Sequence, residues 1–259
     1  MRYALEVQYR GIHYAGSQIQ FEEGKQINEP TIQGELEKAL CTLIKSGNSA
    51  NNTRPIKTFF SGRTDKGVNS LGQVVHFDYD KDIVASKFIY QMNEILPDDI
   101  SVSNLRIVPD SFHAQKSAKS RYYRYEFINR HYKQAFDGDI LRVKYEIDIE
   151  RMQTALNFLL GEHDFSSFKS SGTLNPSKVC FISRAEAEKQ GDRVFIHIEG
   201  NRFLYNMVRT IVGTLLEIEG HNLPPEHMKG VLEAHDRRKA GRTVSPYGLT
   251  LMRVDYPQQ

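Results

Sequence analysis

Seven consecutive residues, Ser61-Gly62-Arg63-Thr64-Asp65-Lys66-Gly67, set one carboxylate between two cations and two glycines. In an extended backbone Arg63 and Asp65 are two apart and face the same way. A carboxylate beside a fixed cation stays ionised at neutral pH. That suits a nucleophile or an electrostatic stabiliser better than a general acid. The same residues equally describe a turn whose Asp accepts local backbone hydrogen bonds, and the pattern alone leaves both readings open.

A second segment is compositional. His113 to Tyr145 carries eight Lys or Arg against three acids, with seven aromatics interleaved. Cations meet phosphates while aromatic faces stack on exposed bases, which is how single-stranded or flipped nucleotides are held. In the alternating stretch Arg121 to Phe127, Tyr123 and Tyr125 share one face, and Tyr122, Arg124 and Glu126 the other. An edge strand kept soluble by charge, with its tyrosines in a core, fits as well. A third segment, Asn201 to Arg209, holds Arg209 beside the stripe Phe203, Met207, Ile211 and Leu215. A buried arginine needs a carboxylate, whereas a solvated helix-face arginine needs nothing. The cluster Arg237, Arg238, Lys239 and Arg242 is a weaker phosphate candidate.

Other chemistries lack a foothold. The sequence has no Gly-x-x-x-x-Gly-Lys-Ser/Thr, no Gly-x-Gly-x-x-Gly, no His-Glu-x-x-His and no Gly-x-Ser-x-Gly. His163-Asp164 is a lone pair without further metal ligands in sequence. Cys41 and Cys180 cannot build a disulfide framework, and Cys41 is expected buried and reduced in a cytosolic setting.

These groups need elements to position them. Tyr3, Leu5, Val7 and Tyr9 alternate as a strand, and Tyr14 to Asn28 reads as a long mobile loop. Thr31 opens a helix with Ile32, Leu36, Leu40 and Leu43 inward, stopped by Gly47. Strand Gln73–Asp78, helix Ser86–Leu96 and strand Ser101–Val108 follow. Further on come strand Arg121–Asn129 and a helix capped by Asp148, with Met152, Ala155, Leu156, Leu159 and Leu160 on one face. After them come the polar loop Ser166–Lys178, a hairpin turning at Gln190-Gly191-Asp192, and helices Arg202–Ile218, the longest, and Pro225–Ala234. Leu249–Tyr256 forms a last strand. The expected class is α+β, in two similar halves, each a mostly antiparallel sheet with helices on one face. The expected domains are 1–108, carrying the Asp loop, and 112–259, carrying the Tyr strand and the Arg helix.

The 259 residues carry 34 basic and 32 acidic side chains, 39% apolar and 10% aromatic residues. That is a globular composition, not a disordered one. The net charge of +2 means that an acidic partner must be met by a local patch. The opening MRYALEVQYRG holds no apolar core of signal-peptide length. Ile211–Leu216, the longest strongly apolar run, is far below the ~18 residues of a membrane helix.

Together the segments resemble one family, the tRNA pseudouridine synthase A family. The landmarks are TIQGELEKAL, SGRTDKGVNSLGQVVHFD, RYYRYEFIN, HDFSSF, NRFLYNMVRTIVGTL and SPYGLTLMRVDY, in that order and nearly end to end. One departure stands out: Asn69 occupies a position where the family usually has His. The resemblance implies an isomerase that converts uridine to pseudouridine in the anticodon stem-loop of tRNA, at nucleotides 38, 39 and 40. It implies Asp65 as the nucleophile, Arg63 as its neighbour and Arg209 as the cation that pairs with Asp65. It implies Tyr123 as the aromatic that stacks on the target base, with Arg124, Phe203 and Lys66 also binding substrate. It further implies no cofactor and no metal, a cytoplasmic homodimer, and two sheets joined around a central RNA-binding cleft. Whether Asp65 attacks the base, attacks the sugar or removes a sugar proton stays open in sequence. A catalytically silent RNA-binding module would keep the basic patches and discard Asp65, Tyr123 or Arg209; all three are present.

Overall fold

The computed structural model describes residues 1–22, 25–26, 29–46, 56–170 and 177–257. It is an α+β protein whose strands pair mostly antiparallel. The chain divides into two compact units, residues 1–119 with 251–259, and residues 120–250.

In the first unit the elements are β1 (Arg2–Tyr9), β2 (Phe21–Glu22), β3 (Lys25–Gln26), α1 (Ile32–Ser46), β4 (Thr58–Phe60), β5 (Asn69–Asp78), α2 (Ala85–Ile95) and β6 (Ile100–Val108). β1 lies between β5 and β6, antiparallel to both. Tyr3, Leu5, Val7 and Tyr9 of β1 and Val75 and Phe77 of β5 pack against Ile32, Leu36 and Leu40 of α1 and Phe88 and Met92 of α2. The period of two thus meets the period of four in one apolar layer. Thr31 caps α1, its hydroxyl accepting from the Gly34 N–H at 3.1 Å. The expected stop, Gly47, lies outside the described residues. Cys41 is half-buried rather than buried, and free.

Residues 109–118, where alternation fails in the sequence, form an ordered strap. Arg2 donates to the carbonyl of Phe112 at 2.8 Å, and Tyr256 to that of Ala114 at 2.7 Å. The Ala114 N–H donates to Nδ1 of His76, at 3.1 Å. His76 is 2% exposed. Burial, with Arg2 and His113 nearby, pushes its imidazole down to about 4. The unfolded chain therefore binds the proton first, at about 6.5. Stability should fall as pH drops from about 6.5 to 4, by at most about 3 kcal/mol. Urea melts at pH 7 and 4.5 check this: His76→Gln should flatten that part of the pH dependence, and an unchanged slope would remove His76 as its source.

The second unit holds β7 (Ser120–Asn129), β8 (Arg142–Val143), α3 (Ile149–Asn157), β9 (Gly161–Asp164), β10 (Val179–Gln190), β11 (Arg193–Gly200), α4 (Met207–Gly220) and α5 (His227–Ala234). Its strands run in the order β7-β11-β10-β9, all antiparallel, with β8 parallel to β7. Asp148 caps α3 through Arg151 N–H, at 3.1 Å. Leu160 departs from the expected inward face and is 41% exposed. The helix has already ended at Asn157, and Gly161 turns the chain at φ +97° into β9. The last strand, β12 (Leu249–Asp255), begins beside the second unit and contributes residues from Leu251 onward to the first, pairing with β5.

α4 is shorter than its apolar periodicity suggests. It starts at Met207, not Arg202, because Asn206 takes a left-handed conformation, φ +62°, that a helix cannot include. Phe203 consequently lies outside the helix, and α1, not α4, is the longer of the two.

Candidate active site

The Asp65 loop joins β4 to β5. The Val68 N–H donates to the Asp65 carbonyl at 3.1 Å, and Gly67 sits at φ +83°. These are the marks of a type II turn, with glycine where φ must be positive. The turn reading of the sequence is thus realised in the backbone. Asp65 itself is half-buried, and its backbone forms a bridge with Gly16. Arg63 and Lys66 are exposed, so Arg63 does not share the half-buried setting of Asp65. Lys66 pairs with Glu29 at 2.9 Å, a surface pair.

What fixes the loop comes from segments far away in sequence. Tyr14 to Gln20, expected to be mobile, is pinned to it: Ser17 N–H donates to the Thr64 carbonyl at 3.0 Å, and Thr64 N–H to the Ser17 hydroxyl at 2.8 Å. Gly16 and Ser17 also hand their carbonyls to the first N–H groups of α1. Below the loop lies a buried polar chain. Tyr9 and Thr64 share a hydroxyl bond of 2.8 Å, and the Gln73 amide donates to Tyr9 at 3.4 Å and to the Gly62 carbonyl at 3.0 Å. The Ser61 hydroxyl bonds the Gln73 carbonyl oxygen. Burial pushes the Tyr9 hydroxyl up against the pull of these bonds, so it remains neutral. Satisfied networks of this kind hold a loop in one conformation.

Asn69, the departure from the usual His, has a defined task. Its Oδ1 accepts from the Gly11 N–H at 2.9 Å, while the Gly11 carbonyl accepts from Gly67 N–H at 3.2 Å. Gly11 lies so close to the loop that a Cβ there would stand 2.1 Å from the Val68 carbonyl oxygen.

In the second unit, Tyr123 projects from β7 on the same face as the buried Tyr125 and Phe127. Its ring meets Phe203 edge-on, centroids 5.1 Å apart at 84°. The Tyr125 hydroxyl donates to the Ser245 carbonyl at 2.9 Å. Arg124 lies on the opposite face, over the Phe195 ring at 5.1 Å, and is not brought to Tyr123. Tyr122, on that face too, bonds Nδ1 of His197 at 2.6 Å.

Arg209 sits in the first turn of α4 and is half-buried. Nε donates to the Val244 carbonyl at 2.8 Å and Nη1 to Asn206 Oδ1 at 2.7 Å. Segment 241–245 can reach Val244 to it because Gly213 has no side chain: the helix and the Arg242 backbone touch there.

The basic patch is thinner than its composition implies. Arg130 is bound by Asp137 and Asp192, and Arg238 by Asp236 at 2.8 Å. Arg237 donates to the Thr243 hydroxyl at 3.0 Å. His163 Nε2 bonds the Leu160 carbonyl, and Asp164 accepts from Ser166. Among the described residues, no group of three or more His, Cys, Asp or Glu could hold a metal ion. Nor is any described helix long and apolar enough to cross a membrane.

A family profile described as tRNA pseudouridine synthase matches residues 155–257. Proteins called tRNA pseudouridine synthase A are similar along nearly their whole length. That of Photobacterium profundum is 40% identical over 100% of this chain and 94% of its own. That of Bacillus subtilis is 39% identical over 99% of each, and that of an Exiguobacterium species 38% over 98% of each. The chain belongs to the tRNA pseudouridine synthase A family. The profile spans Phe203, Asn206 and Arg209, and the full-length relatives extend the likeness across Asp65 and Tyr123. A pseudouridine synthase is an isomerase. It breaks the N1–C1′ bond of uridine, turns the base and joins C5 to C1′; the proton on C5 is lost and one is gained at N1.

Several residues that hold the Asp65 loop, or that start the Arg209 helix, carry no signal of their own in sequence. Tyr9, Ser17 and Gln73 read as strand or loop residues, and their partners lie 47 to 64 positions away. Asn206 reads as part of a helix, whereas it is the residue at which that helix begins.

Proposed function

We propose that this synthase isomerises uridine to pseudouridine in the anticodon stem-loop of tRNA, at nucleotides 38, 39 and 40, as a cytoplasmic homodimer. Asp65 is the nucleophile, Arg63 its neighbour, Arg209 the active-site cation, and Tyr123 the platform for the target base. Phe203 backs that platform, while Arg124 and Lys66 contact the RNA. The observation that carries the reading is the rigid mounting of Asp65. A half-buried carboxylate, on a type II turn tied to two distant segments, is built for one direction of approach. The extruded base costs a few kcal/mol to unstack, and stacking on Tyr123 offsets part of it.

The direct test is incubation with unmodified tRNA followed by nucleoside analysis and mapping of the product. Pseudouridine at 38 to 40 supports the whole reading; pseudouridine elsewhere keeps the activity and overturns the site. Tyr123→Phe should keep most activity, because a phenyl ring preserves both the stack and the edge contact with Phe203. Tyr123→Ala should lower kcat/KM by about tenfold or more, since a base–aromatic stack is worth ~1–3 kcal/mol. Equal losses in Phe and Ala would make the hydroxyl, not the ring, the working group.

A further inference from the structure

Asn206 stands at φ +62°, a conformation that glycine and asparagine tolerate and other residues resist. Backbone alone would be served as well by glycine. The side chain, however, is engaged at both ends. Oδ1 accepts from Nη1 of Arg209 at 2.7 Å, and Nδ2 donates to the Ser170 hydroxyl at 3.0 Å. Ser170 is tied a second time, its N–H donating to the Tyr205 carbonyl at 3.1 Å. On its other edge Arg209 is held by Val244: Nε donates to that carbonyl at 2.8 Å, and the Val244 N–H returns to the Arg209 carbonyl at 3.4 Å.

Two acceptors on two different nitrogens fix both the plane and the rotation of a guanidinium. Both are neutral. They aim the group without cancelling its charge, as a carboxylate in either place would do.

We propose that Asn206 is a positioning residue for the isomerisation: a neutral amide that aims Arg209 and ties its direction to Ser170. The inference rests on Arg209 being the active-site cation. The chemistry selects asparagine over its neighbours. Aspartate would accept from Arg209 but neutralise it, and an ionised carboxylate cannot donate to Ser170. Glycine would keep the backbone and lose both bonds.

The experiment measures kcat, KM and melting temperature on one unmodified tRNA for the wild type, Asn206→Gly, Asn206→Asp, Arg209→Lys and Arg209→Ala. Asn206→Gly should melt close to the wild type and lose roughly tenfold in kcat at similar KM, the scale of one charge-assisted hydrogen bond. Asn206→Asp should lose more kcat than Asn206→Gly without melting lower. Its loss should shrink as pH falls and the introduced carboxyl is protonated, a pH profile that a purely structural role would not create. In the Arg209→Lys background, Asn206→Gly should cost no further kcat. Wild-type kcat in both Asn206 variants, with Arg209→Lys impaired, overturns the positioning role alone. Wild-type kcat in Arg209→Lys would mean that any cation serves there, which overturns the inference and leaves the cation reading in place; wild-type kcat in Arg209→Ala would overturn that reading too.

Discussion

Asp65→Asn should abolish pseudouridine formation, by about 10⁴-fold or more in kcat, while tRNA affinity and melting temperature change little. The amide is nearly the same size, and several of the bonds that mount the loop are made by other groups. The Ser17–Thr64 pair, the Val68 turn and the Gly16 bridge are all made by backbone or by neighbouring side chains. Loss of the negative charge is therefore the change expected to dominate. Single-turnover assays with equilibrium tRNA binding measure it; an Asn variant that still turns over would sink the nucleophile assignment.

The largest structural effect is expected at Gly213. A Cβ there would stand 1.7 Å from the carbonyl oxygen of Arg242, and the approach is reciprocal, since one at Gly241 would meet the Gly213 backbone at 2.6 Å. Backbone cannot swing aside as a side chain does, so Gly213→Ala must push segment 241–245 off α4. With it go the Gly241–Thr214 bond of 3.0 Å and the Val244 carbonyl that holds Arg209. A loss of about 3 kcal/mol or more is expected, the upper end for overpacking. That lowers the melting temperature of this unit by about 6–12 °C. kcat should fall as well, even at temperatures where the variant is folded. Calorimetry and turnover at 20 °C separate the two; an unshifted transition would mean that the helix and the segment do not touch.

What the sequence made legible was local. The alternation of Tyr3, Leu5, Val7 and Tyr9, the four-residue spacing of Ile32, Leu36 and Leu40, and the Asp148 cap each depend on neighbours within one turn or strand, and each is found in the structure. The sequence misled where a single residue overrode a longer pattern. Phe203 continues the apolar stripe of α4 on paper, but one left-handed residue, Asn206, separates it from the helix. Tyr14 to Gln20 is polar and glycine-containing, which resembles mobility, yet Ser17 within it is matched to Thr64 by two hydrogen bonds. The count of cations from His113 to Tyr145 could not reveal that Arg130 is answered by Asp137 and Asp192. Pairings at such separations leave no local mark. The roles proposed for Asp65, Tyr123 and Arg209 came from ordered motifs of the family, not from physics read residue by residue.

The Asp65 loop leads into β5, and among the described residues part of one edge of β5 is closed by β12. The Ser70 hydroxyl donates to the Leu251 carbonyl at 3.4 Å across 181 residues, and Gly72 has no side chain where Met252 comes within contact. On a ribosome adding about 5–20 residues per second, that closure must wait about 10–40 s after Ser70 is made. For that interval the strand that follows the Asp65 loop has an open flank, the kind of edge on which chains aggregate. A nascent or prematurely terminated chain can thus own every residue assigned to the chemistry and still lack a finished frame for Asp65.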